Sequence, residues 1–397
     1  TGVYYLIFAV IGNGLNNGMQ ALISRRAGQN LPKEIGRLFV NGIWVALAIA
    51  FLGIAITYVA APYVLRAVIH DPAIARQCID FLLIRIWGLP LLYLYVMRNA
   101  LLVGTNQTRL LIWGTLAEAL TNIFLDYTLI YGHFGFPELG FNGAAYASII
   151  AEGTGLVVIY AVIHLRGLHR DFGFFQDNHE LVSGSQIKLI LRQSSPLILQ
   201  YCISIVSWEF FYILVEHHGS RALAVSNTMR NIFGIFGVFA WAFASTTNTM
   251  VSNIIGQGRQ DEVIPLIHRI ILASITLSAI LCVALNLWPE WFFSMYSQGD
   301  DFVADAIPIV RVVSVALIMM SFSTVWLNAV TGTGNTLVNL SIEFITVVIY
   351  SIYVYVVLEH LKLSVTIGWM SEWVYWISMF SMAYYYMKSG RWKSKVI

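Results

Sequence analysis

Apolar residues in this chain fall in long runs broken by short polar turns. Eleven runs, at about 3–23, 38–68, 81–103, 109–131, 140–165, 187–217, 221–250, 264–289, 304–330, 336–358 and 366–387, are long enough to cross about 30 Å of hydrocarbon as helices. They lack the two-residue alternation of barrel strands. The pattern predicts an all-α polytopic membrane protein. Between the runs, GQNLPKEIGR places Asn30 to cap a helix, Pro32 in its first turn and Glu34 near the positive end of its dipole; Asp261 in GRQDEVIPL is expected to act in the same way. Pro90, Pro196 and Pro308 lie inside or at the start of apolar runs and predict kinks.

Two of the turns occur twice. Gly104-Thr105-Asn106-Gln107-Thr108 returns as Gly332-Thr333-Gly334-Asn335-Thr336, and Arg26-Ala27-Gly28-Gln29-Asn30 resembles Ile254-Ile255-Gly256-Gln257-Gly258; each pair is 228 residues apart. All four turns fall on the side where most Lys and Arg gather, which the positive-inside rule makes cytoplasmic. The halves therefore share one orientation, a parallel repeat about an axis along the membrane normal. Expected divisions are a first bundle at 1–166, a cytoplasmic linker at 167–186 and a second bundle at 187–397. The partner of the helix near 187–217 would precede Thr1, so the repeat predicts a twelfth helix upstream, making six plus six.

Composition agrees with the pattern. The chain is 58% hydrophobic and 11% charged, against about 45–50% and 25% in soluble domains. A net charge of +2 gives no nucleic-acid footprint. Cys78, Cys202 and Cys282 are scattered and fit neither a disulfide framework nor a metal spacing. The histidines of the expected linker, including His169 and His179, have no metal spacing either. No Gly-x-x-x-x-Gly-Lys motif is present, so ATP is not the expected energy source.

Candidate chemistry sits inside the runs. Glu118, Asn122 and Asp126 are spaced four apart and share one helix face; Ser148 and Glu152 do the same on the next run, and the short connection makes the two helices antiparallel neighbours. An intramembrane carboxylate costs roughly 2.5–3.5 kcal/mol on insertion scales and marks a function by default. Such oxygens suit a hard cation such as Na⁺, with Asp126 and Asn122 as ligands; close, desolvated acids equally suit H⁺ exchange. A basic partner or a helix-end position for Glu118 or Glu152 is the bland alternative. The second half offers Glu343 and Glu209. Glu209 with Trp208, Phe210 and Phe211 fits an organic cation, or else an aromatic packing surface. Uncharged stripes include Asn16, Asn17 and Gln20 in the first run and Asn248 at the equivalent of Gln20. They fit a water-filled substrate cleft or, equally, interhelical hydrogen bonding around Gly14-x-x-x-Gly18. Arg98 and Arg230 lie within or near spans, where they neutralise acids, hold helices in register or snorkel.

At these turns and acids the chain resembles the MATE family, the multidrug and toxic compound extrusion transporters. The resemblance rests on RRAGQN, IIGQGRQDE, GTNQT, GTGNT, Asn122-Ile-Phe-Leu-Asp126 and Gly143-Ala144-Ala145, and covers nearly the whole chain. It implies two pseudo-symmetric six-helix bundles around a central cleft. It further implies a monomeric inner-membrane antiporter that takes small molecules from a lipid setting, with Na⁺ or H⁺ as coupling ion and no other cofactor. In the family, residues matching Asn122 and Asp126, with a hydroxyl near Ser148, help form a cation site whose central Asp lies on a first helix that this chain does not contain. Some members also use a Glu on the seventh helix and an Asp on the tenth; here those positions fall near Ser204 and Met320, which are not acids. Rival readings are a lipid-linked oligosaccharide flippase, which needs a basic cleft, a channel, which would need a filter, and a prenyltransferase-like enzyme, which needs paired Asp-rich motifs.

Overall fold

The computed structural model describes residues 2–69, 71–174, 182–290 and 300–395. Residues 291–299, with Trp291, which the sequence places at a membrane interface, and residues 175–181 of the expected linker, with His179, lie outside this set. In hydrocarbon a backbone must satisfy its own hydrogen bonds, so each apolar run folds as a helix. The chain forms two compact units, Thr1–Ile198 and Leu199–Ile397.

The first unit contains α1 (Gly2–Gly28), α2 (Pro32–Val68), α3 (Pro72–Arg85), α4 (Leu89–Gly104), α5 (Leu111–Tyr131), α6 (Phe141–Leu165) and the short α7 (Leu168–Asp171). It closes with the first half of α8 (Gly184–Glu216). The second unit holds the rest of α8 and then α9 (Ser220–Gly256), α10 (Val263–Leu287), α11 (Asp300–Thr333), α12 (Thr336–Val354), α13 (Val365–Trp369) and α14 (Ser371–Lys388). Among the described residues, nine spans are long and apolar enough to cross a membrane, and the chain is a multi-pass membrane protein.

Several local expectations change. The run at 81–103 is the second part of a longer span from Pro72 to Gly104. Asp71 caps its start by accepting from the N–H of Ala73 at 2.8 Å. A 3₁₀ turn at Ile86–Gly88 separates α3 from α4 just before Pro90. Helix α8 runs unbroken through Pro196 and α11 through Pro308. Asn30 does not cap α2: it adopts φ +57°, its N–H reaches Ala27 O at 3.0 Å, and Leu31 N–H reaches Arg26 O at 3.0 Å. That is the Schellman closure of α1. Asp261 likewise leaves the cap of α10 to Glu262 and instead accepts from Lys393 Nζ at 2.6 Å.

The repeat reappears in the backbone. Asn30 and Gly258 are left-handed at φ +57° and +78°, and Asn106 and Gly334 at +60° and +89°. Asn106 and Gly258 close their helices with the same bond pair as Asn30: Asn106 N–H to Val103 O with Gln107 N–H to Leu102 O, and Gly258 N–H to Ile255 O with Arg259 N–H to Ile254 O. Helices α1 and α9 end on Gly28 and Gly256, again 228 apart.

Candidate functional site

Helices α5 and α6 pack antiparallel. A Cβ on Gly143, near the start of α6, would lie 2.6 Å from Leu129 O near the end of α5. One on Gly155, farther along α6, would lie 2.9 Å from Glu118 Cβ. These close approaches bring the two polar stripes onto neighbouring helices. Glu118, Asn122, Asp126, Ser148 and Glu152 are all partly buried. They do not form one cluster. Glu152 is held by Arg85 through a bidentate ion pair, Nη2 to Oε1 at 2.5 Å and Nη1 to Oε2 at 3.2 Å. The Arg85 guanidinium also lies over the Tyr5 ring, 4.2 Å from its centroid. Among the described residues no hydrogen bond or ion pair joins Asp126 to Asn122 or Ser148.

Arg98 lies fully buried on α4. Its guanidinium stacks on Tyr95 at 3.9 Å, interacts electrostatically with Glu118, and packs where a Cβ on Gly114 would come within 2.7 Å of Nη1. Of the expected functions for this arginine, snorkelling is excluded by its burial. Arg230 lies over the Tyr212 ring at 5.0 Å.

The uncharged stripes lie at helix crossings. Gln20 and Asn248 are fully buried. A Cβ on Gly104 would sit 3.2 Å from Gln20 O, and one on Gly332 would sit 2.8 Å from Asn248 O, so the same crossing occurs once in each unit. Asn16 is partly buried and accepts from Asn99 Nδ2 at 3.2 Å; Asn17 is partly buried too. In the second unit Trp208 packs against Tyr212 and Phe233, and Phe211 against Trp369, as part of its core. Glu209 beside them is partly buried.

Among the described residues the most enclosed acid is Glu343 on α12, with no exposed surface. Its Oε1 accepts from the Ser204 hydroxyl and from Tyr375 Oη at 2.6 Å, and its Oε2 accepts from Gln200 Nε2 at 3.5 Å. Gln200 Oε1 in turn accepts from Asn339 Nδ2 at 3.4 Å, and Asn339 Nδ2 also donates to Thr331 Oγ1 at 2.7 Å. Sequence spacing could not reveal this set, because its members come from α8, α11, α12 and α14. The one available signal was a glutamate inside a 19-residue apolar helix. Arg85 was missed as well, although a charge inside FLLIRIW demands a partner.

Comparison with known proteins adds the family. The MatE family model matches residues 1–128 and 196–356. The Probable multidrug resistance protein NorM of Thermotoga maritima is 24% identical over 302 residues, 75% of this chain and 64% of that protein. The relative of that name from Listeria monocytogenes is 27% identical over 240 residues, 59% of this chain and 51% of that protein, so the chain spans about half its length. Among solved structures, a MATE protein in complex with MaL6 superposes with TM-score 0.86 at 17% identity, covering 98% of this chain and 85% of that one. An outward-facing multidrug resistance MATE family transporter of the MOP superfamily superposes with TM-score 0.85 at 18% identity, covering 98% and 87%. With the family model running through both repeats of an all-helical membrane fold, the chain belongs to the MatE family.

Proposed function

We propose that this protein is a secondary antiporter that exports cationic or amphipathic small molecules across the cell membrane in exchange for Na⁺ or H⁺. The observation that carries this reading is a family match spanning both halves of the chain, shared with relatives named as probable multidrug resistance proteins. Acids placed inside the spans supply the coupling chemistry. Glu152 is neutralised by Arg85, which leaves Asp126, with Asn122, Ser148 and Glu118, for the cation in the first unit. Asn16, Asn17, Gln20, Trp208, Glu209 and Asn248 are the groups proposed to meet substrate. Alternating access follows if cation and substrate bind the two conformations with different affinities, since a ligand shifts such an equilibrium only by that difference. The flippase reading needs basic groups open to a pyrophosphate; Arg85 is paired and Arg98 is enclosed, so neither supports it.

The test is efflux of a cationic dye from proteoliposomes containing the full-length protein, with Na⁺ or H⁺ gradients imposed separately. Dye movement driven by one gradient supports the reading and names the ion. Folded protein that moves dye under neither gradient overturns it.

A further inference from the structure

In the first unit Glu152 is paired with Arg85; in the second, a fully buried acid has no ion-pair partner among the described residues. Glu343 lies seven residues into α12, about 10 Å along a helix rising 1.5 Å per residue. Its neighbours come from three elements. Helix α8 contributes only neutral groups, Gln200 and Ser204. Helix α14 contributes Tyr375 and also carries Glu372, which accepts from Trp376 Nε1 at 3.0 Å. On α12 itself, the Tyr350 ring stands edge-on to that of Tyr375 at 5.7 Å. Among the described residues no Lys, Arg or His forms an ion pair with Glu343. An ionised carboxylate in such a place is costly unless it is hydrogen-bonded, paired or neutralised.

The contacts also select the occupant. A metal ion wants oxygen ligands. Here one of the three groups facing the carboxylate is the amide nitrogen of Gln200, whose oxygen is taken by Asn339. A set of hydroxyl and amide donors converging on two oxygens holds a carboxylate, and it equally holds a carboxylic acid, whose O–H finds the Ser204 oxygen as acceptor. The group that can come and go in this setting is a proton.

We propose that Glu343 is a proton-binding carboxyl of the second unit, held in position by Ser204, Tyr375 and Gln200. The carboxylate takes one proton from the aqueous phase on one side, forming a neutral carboxylic acid. It returns that proton to the other side when the unit changes conformation; no electrons move and no other bond breaks. The coupling of this proton to export rests on the antiporter reading above, whereas its binding does not.

Two measurements separate these points. The first is pH-difference infrared spectroscopy of the purified full-length protein. It is expected to show a carbonyl band from a protonated buried carboxyl, lost in E343Q and retained in E372Q. Y375F keeps the band but changes the pH at which it appears, because it removes a donor from one protonation state more than from the other. A purely structural glutamate would give a Y375F protein of altered stability with no such movement. The second measurement is proton release on adding tetraphenylphosphonium to weakly buffered protein, expected for the wild type and lost in E343Q that still binds the cation. Persistence of the band in folded E343Q overturns the proposal, as does a band that answers to Na⁺ and not to pH. If E343Q fails to assemble, the wild type against Y375F decides. A wild-type band with no gradient-driven dye efflux would leave the proton site standing and sink the antiporter reading instead.

Discussion

Arg85 and Glu152 show what a charge inside a span requires. Their side chains are 14% and 12% exposed and meet through two hydrogen bonds. Removing one member strands the other, which for buried pairs costs about 3–5 kcal/mol. R85A is therefore expected to lose about 3 kcal/mol of stability, seen as a lowered unfolding temperature in detergent. The double variant R85M/E152L should recover most of it, and a double variant no better than R85A would count against the pair. Asp126 contrasts with Glu152. It is partly buried and has no ion-pair partner among the described residues. D126N is expected to abolish gradient-driven dye efflux while leaving the circular dichroism spectrum and the unfolding temperature unchanged. Full efflux by D126N would remove Asp126 from the coupling chemistry. The sequence showed that Asp126 and Glu152 were costly, because an acid in an apolar run stands out by itself. It could not show that only one of them is neutralised, because Arg85 is 67 residues from Glu152 in the chain.

At the scale of elements, close approach decides where glycine is needed. A Cβ on Gly14 would fall 2.6 Å from the Cα and N of Ile198, and one on Gly18 would fall 2.9 Å from Ser194 Cα. The obstacle is backbone, so no side-chain rotation relieves it, and α1 and α8 meet here through the small-residue spacing that lets helices approach in lipid. G14V and G18V are each expected to destabilise the protein by about 1–3 kcal/mol or more through overpacking, checked by thermal unfolding; unchanged stability would mean that α1 is not seated against α8. The turns carry a different constraint. Asn106 holds φ +60° where its repeat partner is Gly334. A residue without a Cβ carries no penalty there, whereas an L-residue in that conformation costs about 1–2 kcal/mol. N106G should leave stability unchanged or raise it slightly, and N106V should lower it by about 1–2 kcal/mol. The turns were legible because their function is local: a left-handed closure is written in four or five neighbouring residues. Asn30 was misplaced by one element because GQN-LP reads equally well as the end of one helix or the start of the next, and only φ distinguishes them.

At the scale of the whole molecule, the two compact units part inside one continuous helix. Residues up to Ile198 of α8 belong to the first unit and those from Leu199 to the second. Within the first unit, Ser194 and Ile198 are the residues that Gly18 and Gly14 meet; within the second, Gln200 and Ser204 hold Glu343. Cutting the chain at the unit boundary would sever hydrogen bonds in mid-span, where no water can replace them. Cutting it between Phe174 and Val182 would leave α8 whole and still carrying its face for α1. Fragments 1–174 and 182–397, expressed together, are therefore expected to copurify, because the second brings Ser194 and Ile198 to the glycines of the first. Fragments 1–198 and 199–397 should not assemble, and G14V/G18V should abolish copurification of the first pair. If both divisions assemble equally well, an unbroken α8 is not needed for the fragments to assemble. If the first pair assembles regardless of the glycines, the α1–α8 crossing is not what joins them.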